Sequence, residues 1–398
     1  MASIPALVEP TVLRWARESI GLSPLAAARK IKVPDDRISA WEAGQSHPTI
    51  SQLRRAADAY KRPIAVFFLA EPPTTFDTLR DFRRIEGAEE ADWSPELHAE
   101  YRRAILQRQQ LIELMELDER EPSTNWQIDL LPASDDELAA MARHKILDSA
   151  LIDLPLNGGS PYDHLGAWVS GLEESGVLVL ATAGGKVSPK EMRALSLHFE
   201  SVPVIMVNGA DSARGRLFSL LHEYAHLLLH TGGLCDTISD LRAVSPNRRL
   251  EARCNAIAAA ALMPTEAVLR RPQVVARRSD RESWDYDSLR AAASPFGVSA
   301  EAFLRRLLTL GLVDRSFYSF RRSEFIAAYE EEEAKAKPSG GNWYRNTVRD
   351  LGKGYVRSVA DAHRRRVIDS YTAASYLDVK VGQIAQLAQR ASVTQGVD

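Results

Sequence analysis

Three side chains within five residues could do chemistry together: His222, Glu223 and His226, in the run Leu217-Phe-Ser-Leu-Leu-His-Glu-Tyr-Ala-His-Leu-Leu-Leu-His230. The run reads as one helix. At about 100° per residue, with His222 at zero, His226 falls near 40° and Glu223 near 100°. Leu217, Leu220, Leu221, Tyr224, Ala225 and Leu228 fall between roughly 160° and 300°, so one face is apolar and fit for a core. The other face presents two imidazoles one turn apart with a carboxylate beside them. Such a pair can reach one zinc ion, and the neighbouring Glu223 can accept the proton of the water that the metal activates. The bland alternative is an amphipathic helix whose His and Glu merely face solvent.

A catalytic zinc takes three protein ligands and keeps one position open. Glu251 is the candidate third. It opens Glu251-Ala-Arg-Cys254-Asn255, followed by Ile257-Ala-Ala-Ala-Ala-Leu-Met-Pro264, a second apolar helix with a carboxylate at its start. His230 competes on paper. It lies eight residues past His222, about 12 Å along the axis at ~1.5 Å per residue, too far for one straight helix to bring all three imidazoles to one ion. It reads as a helix-end residue behind the ligands. Cys235 and Cys254 are also conceivable ligands, but they lack a C-x-x-C pairing and read more simply as small buried hydrophobes. The chemistry expected is peptide hydrolysis, with Glu223 passing its proton to the leaving amine. A donor for the tetrahedral oxyanion should also exist. Tyr224 points into the apolar face, and no residue stands out for that role.

Several elements must position these groups. Gly176-Val-Leu-Val-Leu-Ala181 is the first clear strand signal, and Ala194–Phe199 and Val202–Asn208 follow as two more around a short turn. This sheet leads into the His222 helix, with Asp211 or Ser212 as N-cap. Upstream, Asp136–Leu147 and Pro161–Ser175 read as helices. Downstream, Glu266–Arg270, Ser288–Phe296 and Ser299–Leu308 continue helical, with Ser299 as an N-cap. Glu324–Lys337 reads as a charged helix ending in the linker Pro338-Ser-Gly-Gly341. Asn342–Asp398 is again helical, with nine Lys/Arg against five Asp/Glu. Its Arg364-Arg365-Arg366 run reads as a surface cluster.

His-Glu-Tyr-Ala-His-Leu-Leu-Leu-His, with Glu-x-x-Cys-Asn and Ala-Leu-Met-Pro behind it, resembles the ImmA/IrrE family of zinc metallopeptidases. So do Glu191-Met-Arg-Ala-Leu-Ser-Leu and Pro203-Val-Ile-Met-Val-Asn208 ahead of it. The resemblance covers roughly residues 140–312. It implies that one zinc ion is held by His222, His226 and Glu251, and that Glu223 is the general base. It also implies a cytoplasmic role in switching gene expression, often by cutting a helix-turn-helix repressor.

The N-terminal residues 11–62 form a separate pattern. Leu13, Ala16, Ile20 and Leu22 suggest a first helix. Pro24–Ile31 suggests a second, with Ser23 as N-cap and Pro24 at its first position. After a short turn comes Asp36–Ala43, stopped by Gly44. Pro48-Thr49 opens a fourth helix through Tyr60. Two short helices about a four-residue turn make a helix-turn-helix. Ile38-Ser-x-Trp-Glu-x-Gly44 and Pro48-Thr-x-x-Gln-Leu53 resemble the Xre/Cro-like helix-turn-helix family over these residues. Residues 11–62 carry ten Lys/Arg against five Asp/Glu, a balance that permits phosphate contacts. Arg29, Lys32, Arg37 and Gln45 are the candidate DNA contacts. Pro34, Asp35 and Asp36 depart from the pattern, because carboxylates at the start of a recognition helix repel phosphate. A protein-docking module of the same fold therefore stands beside DNA binding.

Between the two patterns, Pro72 and Pro73 mark an extended linker. Pro95–Leu117 is a charged helix with an apolar side that could pack on the peptidase or form a homodimer. The expected class is thus α+β and predominantly helical. The expected parts are a helix-turn-helix domain at 1–72, a helical linker at 73–134, a zincin-like peptidase domain with a small sheet at 135–312, and a helical region at 313–398.

Composition sets outer bounds. The 398 residues suffice for two or three domains. A net charge of −3 excludes a polycation built for nucleic acid as a whole. Two Cys argue against a disulfide framework and fit a reducing cytosol. The N-terminus reads as no signal peptide, and no apolar run is long enough to span a membrane. Three function classes follow. One is a regulatory protease acting on a repressor-like or antitoxin-like protein in gene regulation or stress response. The second is a DNA-binding regulator whose zinc site is sensory or structural. The third is a toxin–antitoxin or phage-defence component acting through protein contacts.

Overall fold

The computed structural model describes residues 5–73, 93–128, 134–150, 159–229, 233–235, 246–277, 283–322, 324–325 and 342–392. The chain forms two compact units, Met1–Leu106 and Gln107–Asp398. His230 and the 326–341 segment, with its expected linker, lie outside the described residues. Among the described residues no helix is long and apolar enough to cross a membrane.

The first unit is built on four helices: α1 (Pro10–Glu18), α2 (Pro24–Ile31), α3 (Arg37–Glu42) and α4 (Ile50–Tyr60). The family-like words in this stretch have plain structural meanings. Thr49 and Gln52 form a reciprocal capping box, each side chain accepting from the other's backbone N–H, at 3.2 and 2.8 Å. Trp41 is buried in the core with Ile20, Ile31, Leu53 and Phe67. Glu42 is buried against Arg17, which donates through Nε at 2.7 Å and Nη2 at 2.8 Å. Gly44 ends the motif with a positive φ of 72°. The first helix is shorter than the apolar spacing suggests. It stops at Glu18, and Ile20 enters the core from a turn that Gly21 makes with a φ of 65°.

The Arg17–Glu42 pair is a fork-to-fork contact with side chains only 8% and 6% exposed. Removing Glu42 leaves the buried Arg17 guanidinium with only the exposed Glu18 carboxylate at 3.2 Å and the Leu22 carbonyl at 2.7 Å. Glu42→Ala is therefore expected to destabilise the N-terminal unit by about 3–5 kcal/mol, read as a lower urea midpoint of its transition.

Helix α5 (Pro95–Leu117) begins in the first unit and ends in the second. The second unit then has α6 (Asp135–Ala150), α7 (Pro161–Glu174), β1 (Leu178–Ala181), β2 (Ala194–Leu197), β3 (Val204–Val207), α8 (Ala213–Leu228), β4 (Gly233–Cys235) and α9 (Pro246–Leu262). The sheet order is β1-β3-β2-β4. β1 runs parallel to β3, while β2 is antiparallel to both β3 and β4. Every residue of β1, β2 and β3 is buried, and apart from Ser196 in β2 these strands are unbroken apolar runs rather than alternating ones. β2 ends at Leu197, two residues before the expected Phe199.

Helix α8 packs on β2, β3 and β4, and α9 packs on α8 and α6. Ser212 caps α8 by accepting from the Gly215 N–H at 3.0 Å. The Tyr224 hydroxyl donates to the Trp126 carbonyl at 2.7 Å, tying the inner face of α8 to the segment before α6. The C-terminal end of α9 is held by arginines, which suits the negative end of a helix. Arg143 donates to the Ala261 carbonyl at 2.8 Å, and the buried Arg306 to the Met263 carbonyl at 3.1 Å.

Beyond α9 come α10 (Thr265–Leu269), α11 (Pro272–Ala276), α12 (Tyr286–Ala293) and α13 (Ala300–Thr309), with Ser299 capping α13. Four more helices close the unit: α14 (Trp343–Leu351), α15 (Lys353–Arg364), α16 (Ser370–Tyr376) and α17 (Ile384–Ser392). α14 and α15 lie against β1. Gly352 joins them with a φ of 86°, and a Cβ there would sit 2.4 Å from the Val179 carbonyl oxygen. Only glycine fits so close to a strand. In the Arg364–Arg366 cluster, Arg365 pairs with Asp118 and Arg364 with Asp361.

The side chain of Glu173, near the end of α7, is buried against the start of α15. It accepts from the Gly354 N–H at 2.7 Å and from Arg357 Nη2 at 3.3 Å, with Lys353 and Glu174 nearby. Burial outweighs these donors and pushes its pKa up to about 7. A raised carboxyl binds its proton more tightly in the folded state than in the unfolded one. Its contribution to stability is thus whole below the ordinary value near 4.5 and is lost as pH rises through about 7. Glu173→Gln is expected to flatten the fall in unfolding midpoint between about pH 4.5 and 7, measured by urea titration of both proteins.

Candidate metal centre

Helix α8 delivers His222 and His226 one turn apart, and α9 brings Glu251 to meet them. The Nε2 atoms of His222 and His226 lie 3.1 Å apart. Glu251 places Oε2 3.1 Å from His222 Nε2 and Oε1 3.2 Å from His226 Nε2. The donor atoms of the three residues all fall within 4.8 Å of one another. A tetrahedral ion with bonds of 2.0–2.1 Å spaces its ligand atoms about 3.3 Å apart. The three donors are therefore spaced as one small ion would require.

The electrostatics agree. Burial opposes a charge on His226, but the Cys254 thiol and the Glu251 and Glu223 carboxylates prevail, raising its pKa to about 11. Burial likewise works against ionised Glu251, yet the two imidazoles hold its pKa at about 2. Both shifts favour positive charge at the point where the donors meet. Two imidazoles and a carboxylate are a donor set suited to zinc.

Glu223 is fully buried, and neither of its oxygens has a hydrogen-bond partner. Burial raises its pKa, against the pull of His226, His222 and Ser196. The Ser196 hydroxyl on β2 is also buried without a well-formed hydrogen bond, although it stands close enough to act on the carboxylate. An unbonded carboxylate in a dry place is costly unless its oxygens have work to do. The helix thus differs from the expected one-sided amphipath. His222, Glu223 and His226 are all buried, because β2 and α9 cover the face that carries them. Glu251 is the more open member, with its side chain 27% exposed.

Two neighbours are more than spacing reveals. Asn255 Oδ1 lies 3.1 Å from His222 Nδ1. Cys254 is buried, as expected of a small hydrophobe, but its thiol also hydrogen-bonds His226. The side chain of Cys235 lies outside the described residues. The sequence signal for these partners was the Cys254-Asn255 pair at three and four residues after Glu251, which returns to the same helix face.

In the first unit, Arg29, Lys32, Arg37 and Gln45 are all exposed, and none makes an ion pair among the described residues. Lys32 ends α2 in a left-handed conformation, Arg37 is the first residue of α3, and Gln45 follows α3. Asp35 and Asp36 are exposed beside them.

A helix-turn-helix unit, and two buried histidines with a half-buried glutamate on two helices beside a small sheet, are the arrangement expected of a metal-dependent peptidase domain behind a DNA-binding-type fold. Comparison with known families gives the particulars. Residues 172–308 match the IrrE N-terminal-like peptidase domain, and residues 13–67 match the helix-turn-helix family. The two matches, in this order, fit the architecture of ImmA/IrrE metallopeptidases that carry an N-terminal helix-turn-helix domain. No curated protein matched the chain.

Proposed function

We propose that this protein is a zinc-dependent endopeptidase of gene regulation or stress response, cleaving a repressor-like or antitoxin-like protein. The observation that supports this most is the meeting of His222, His226 and Glu251 within hydrogen-bond distance beside the unbonded carboxylate of Glu223. In this reading the two Nε2 atoms and the Glu251 carboxylate hold one zinc ion. When bound, zinc supplies Lewis acidity toward water and toward the scissile carbonyl. Glu223 takes up the proton that water gives and hands it to the leaving amine, a task suited to a carboxylate whose pKa burial has raised. β2 and α9 keep bulk water from the two imidazoles, and Glu251 faces the side by which solvent arrives. β4 ends the sheet order next to α8, so an extended peptide could add to it by main-chain hydrogen bonds.

The helix-turn-helix domain, residues 1–72, directs the enzyme to DNA or to a protein partner, and Arg29, Lys32, Arg37 and Gln45 are its proposed DNA contacts. Residues 73–134 link it to the peptidase domain, 135–312, and 313–398 form the helical C-terminal region. The setting is cytoplasmic. The test is metal analysis of the purified protein, joined to a proteome-wide search for new termini after expression of wild type and Glu223→Gln. One equivalent of zinc, with termini that depend on Glu223, is expected. Zinc without any Glu223-dependent terminus, together with salt-dependent operator binding, would replace the enzyme with a regulator whose metal is sensory or structural.

A further inference from the structure

The ligand Glu251 does not act alone on its helix. At about 100° per residue, Cys254 and Asn255 return to within roughly 60° of it on either side. From that single face of α9, one carboxylate meets both Nε2 atoms, one amide oxygen meets His222 Nδ1 at 3.1 Å, and one thiol meets His226. The two histidines come from α8, so the neighbouring helix meets His222 at both ring nitrogens and meets His226 at Nε2 and through the Cys254 thiol.

We infer that Asn255 and Cys254 are positioning residues for the metal centre, each holding one imidazole in the tautomer that turns a bare Nε2 toward the ion. The inference rests on the zinc reading of the site. An amide oxygen can only accept, so His222 must carry its proton on Nδ1 and leave Nε2 unprotonated. His226 has Nε2 facing His222 and Glu251, so Nδ1 is the ring nitrogen left for the Cys254 thiol. The two grips are unequal. Amide oxygen is a good acceptor, whereas neutral sulfur is a weak one. Asn255 therefore contributes more than Cys254, and Cys254 stays outside the coordination sphere. Partners of this kind commonly carry ~10–100-fold in metal affinity.

The test measures zinc affinity of the full chain by competition with a chromogenic chelator, with no activity assay. Asn255→Leu is expected to weaken zinc ~10–100-fold. Asn255→Asp, which keeps an acceptor oxygen, should restore the affinity, and Cys254→Ala should cost less than Asn255→Leu. In zinc-loaded wild type, nitrogen-15 NMR should show a slowly exchanging Nδ1–H on His222 that Asn255→Leu loses. Cobalt in place of zinc should show no thiolate-to-metal absorption. Unchanged affinity in Asn255→Leu, zinc-bound His222 with its proton on Nε2 and Nδ1 as the ligand, or a thiolate–cobalt band removed by Cys254→Ala would each overturn the inference while zinc still binds the chain. Should Asn255→Leu fail to fold, the wild-type NMR and cobalt spectra decide. Wild type that binds no zinc at all would instead overturn the zinc reading, and the inference with it.

Discussion

Glu223→Gln is expected to abolish peptide cleavage while the protein keeps its metal. The substitution preserves length and shape and removes only the ability to take up a proton. General acid–base catalysis contributes ~10²–10⁴-fold, so the rate should fall by at least that range. The residue lies between the two histidines in sequence but is not among the three donors that converge. Metal content should therefore stay at the wild-type level. Because the wild-type carboxylate is buried without a hydrogen bond, the neutral variant should also be no less stable, and its unfolding midpoint should equal or exceed that of wild type. The measurements are turnover on the identified substrate, metal per chain and a urea titration. Proteolysis at the wild-type rate would remove Glu223 from the mechanism.

Glu251→Ala is the complementary experiment. It removes one of three donors and the sole carboxylate among them, and leaves two neutral imidazoles to hold a dication. Loss of an outer partner alone commonly costs ~10–100-fold in affinity, so loss of a direct ligand should exceed about 100-fold. Here activity and metal content should fall together, unlike Glu223→Gln, where they part. Excess zinc should restore part of the Glu251→Ala activity but none of that of Glu223→Gln. Full metal retention in Glu251→Ala would mean that another group completes the donor set.

The contrast between these variants shows why the centre could be read before the fold was known. A fixed i, i+4 spacing puts His222 and His226 on one helical face whatever the tertiary structure does, and the carboxylate ahead of the next apolar run was a natural third group, although α9 starts five residues before it, at Pro246. Local signals of the same kind placed Pro95–Leu117 and the caps at Ser23 and Ser299, and narrowed the cap of α8 to Asp211 or Ser212, of which the structure uses Ser212. What could not be read depends on how elements meet. Nothing in the strands themselves said that β1 would pair with β3 and leave β2 beside β4. The period of α8 marked one face as apolar but could not foresee that β2 and α9 would bury the opposite face as well. Asn255 and Cys254 were visible as letters, but their grip on two imidazoles of another helix is a tertiary fact. In the first helix, a positive φ at Gly21 overrode an apolar spacing that seemed to continue to Leu22.

The close seat of Gly352 on Val179 bears on how the molecule keeps to itself. A strand at the margin of a sheet offers a row of hydrogen-bonding groups to any passing chain. β1 is such a margin, and the junction of α14 and α15 lies across it with no room for a side chain. The closing helices thus cover that margin of the sheet. A chain cut short before them would bare that margin and clump, even with its ion-binding residues intact.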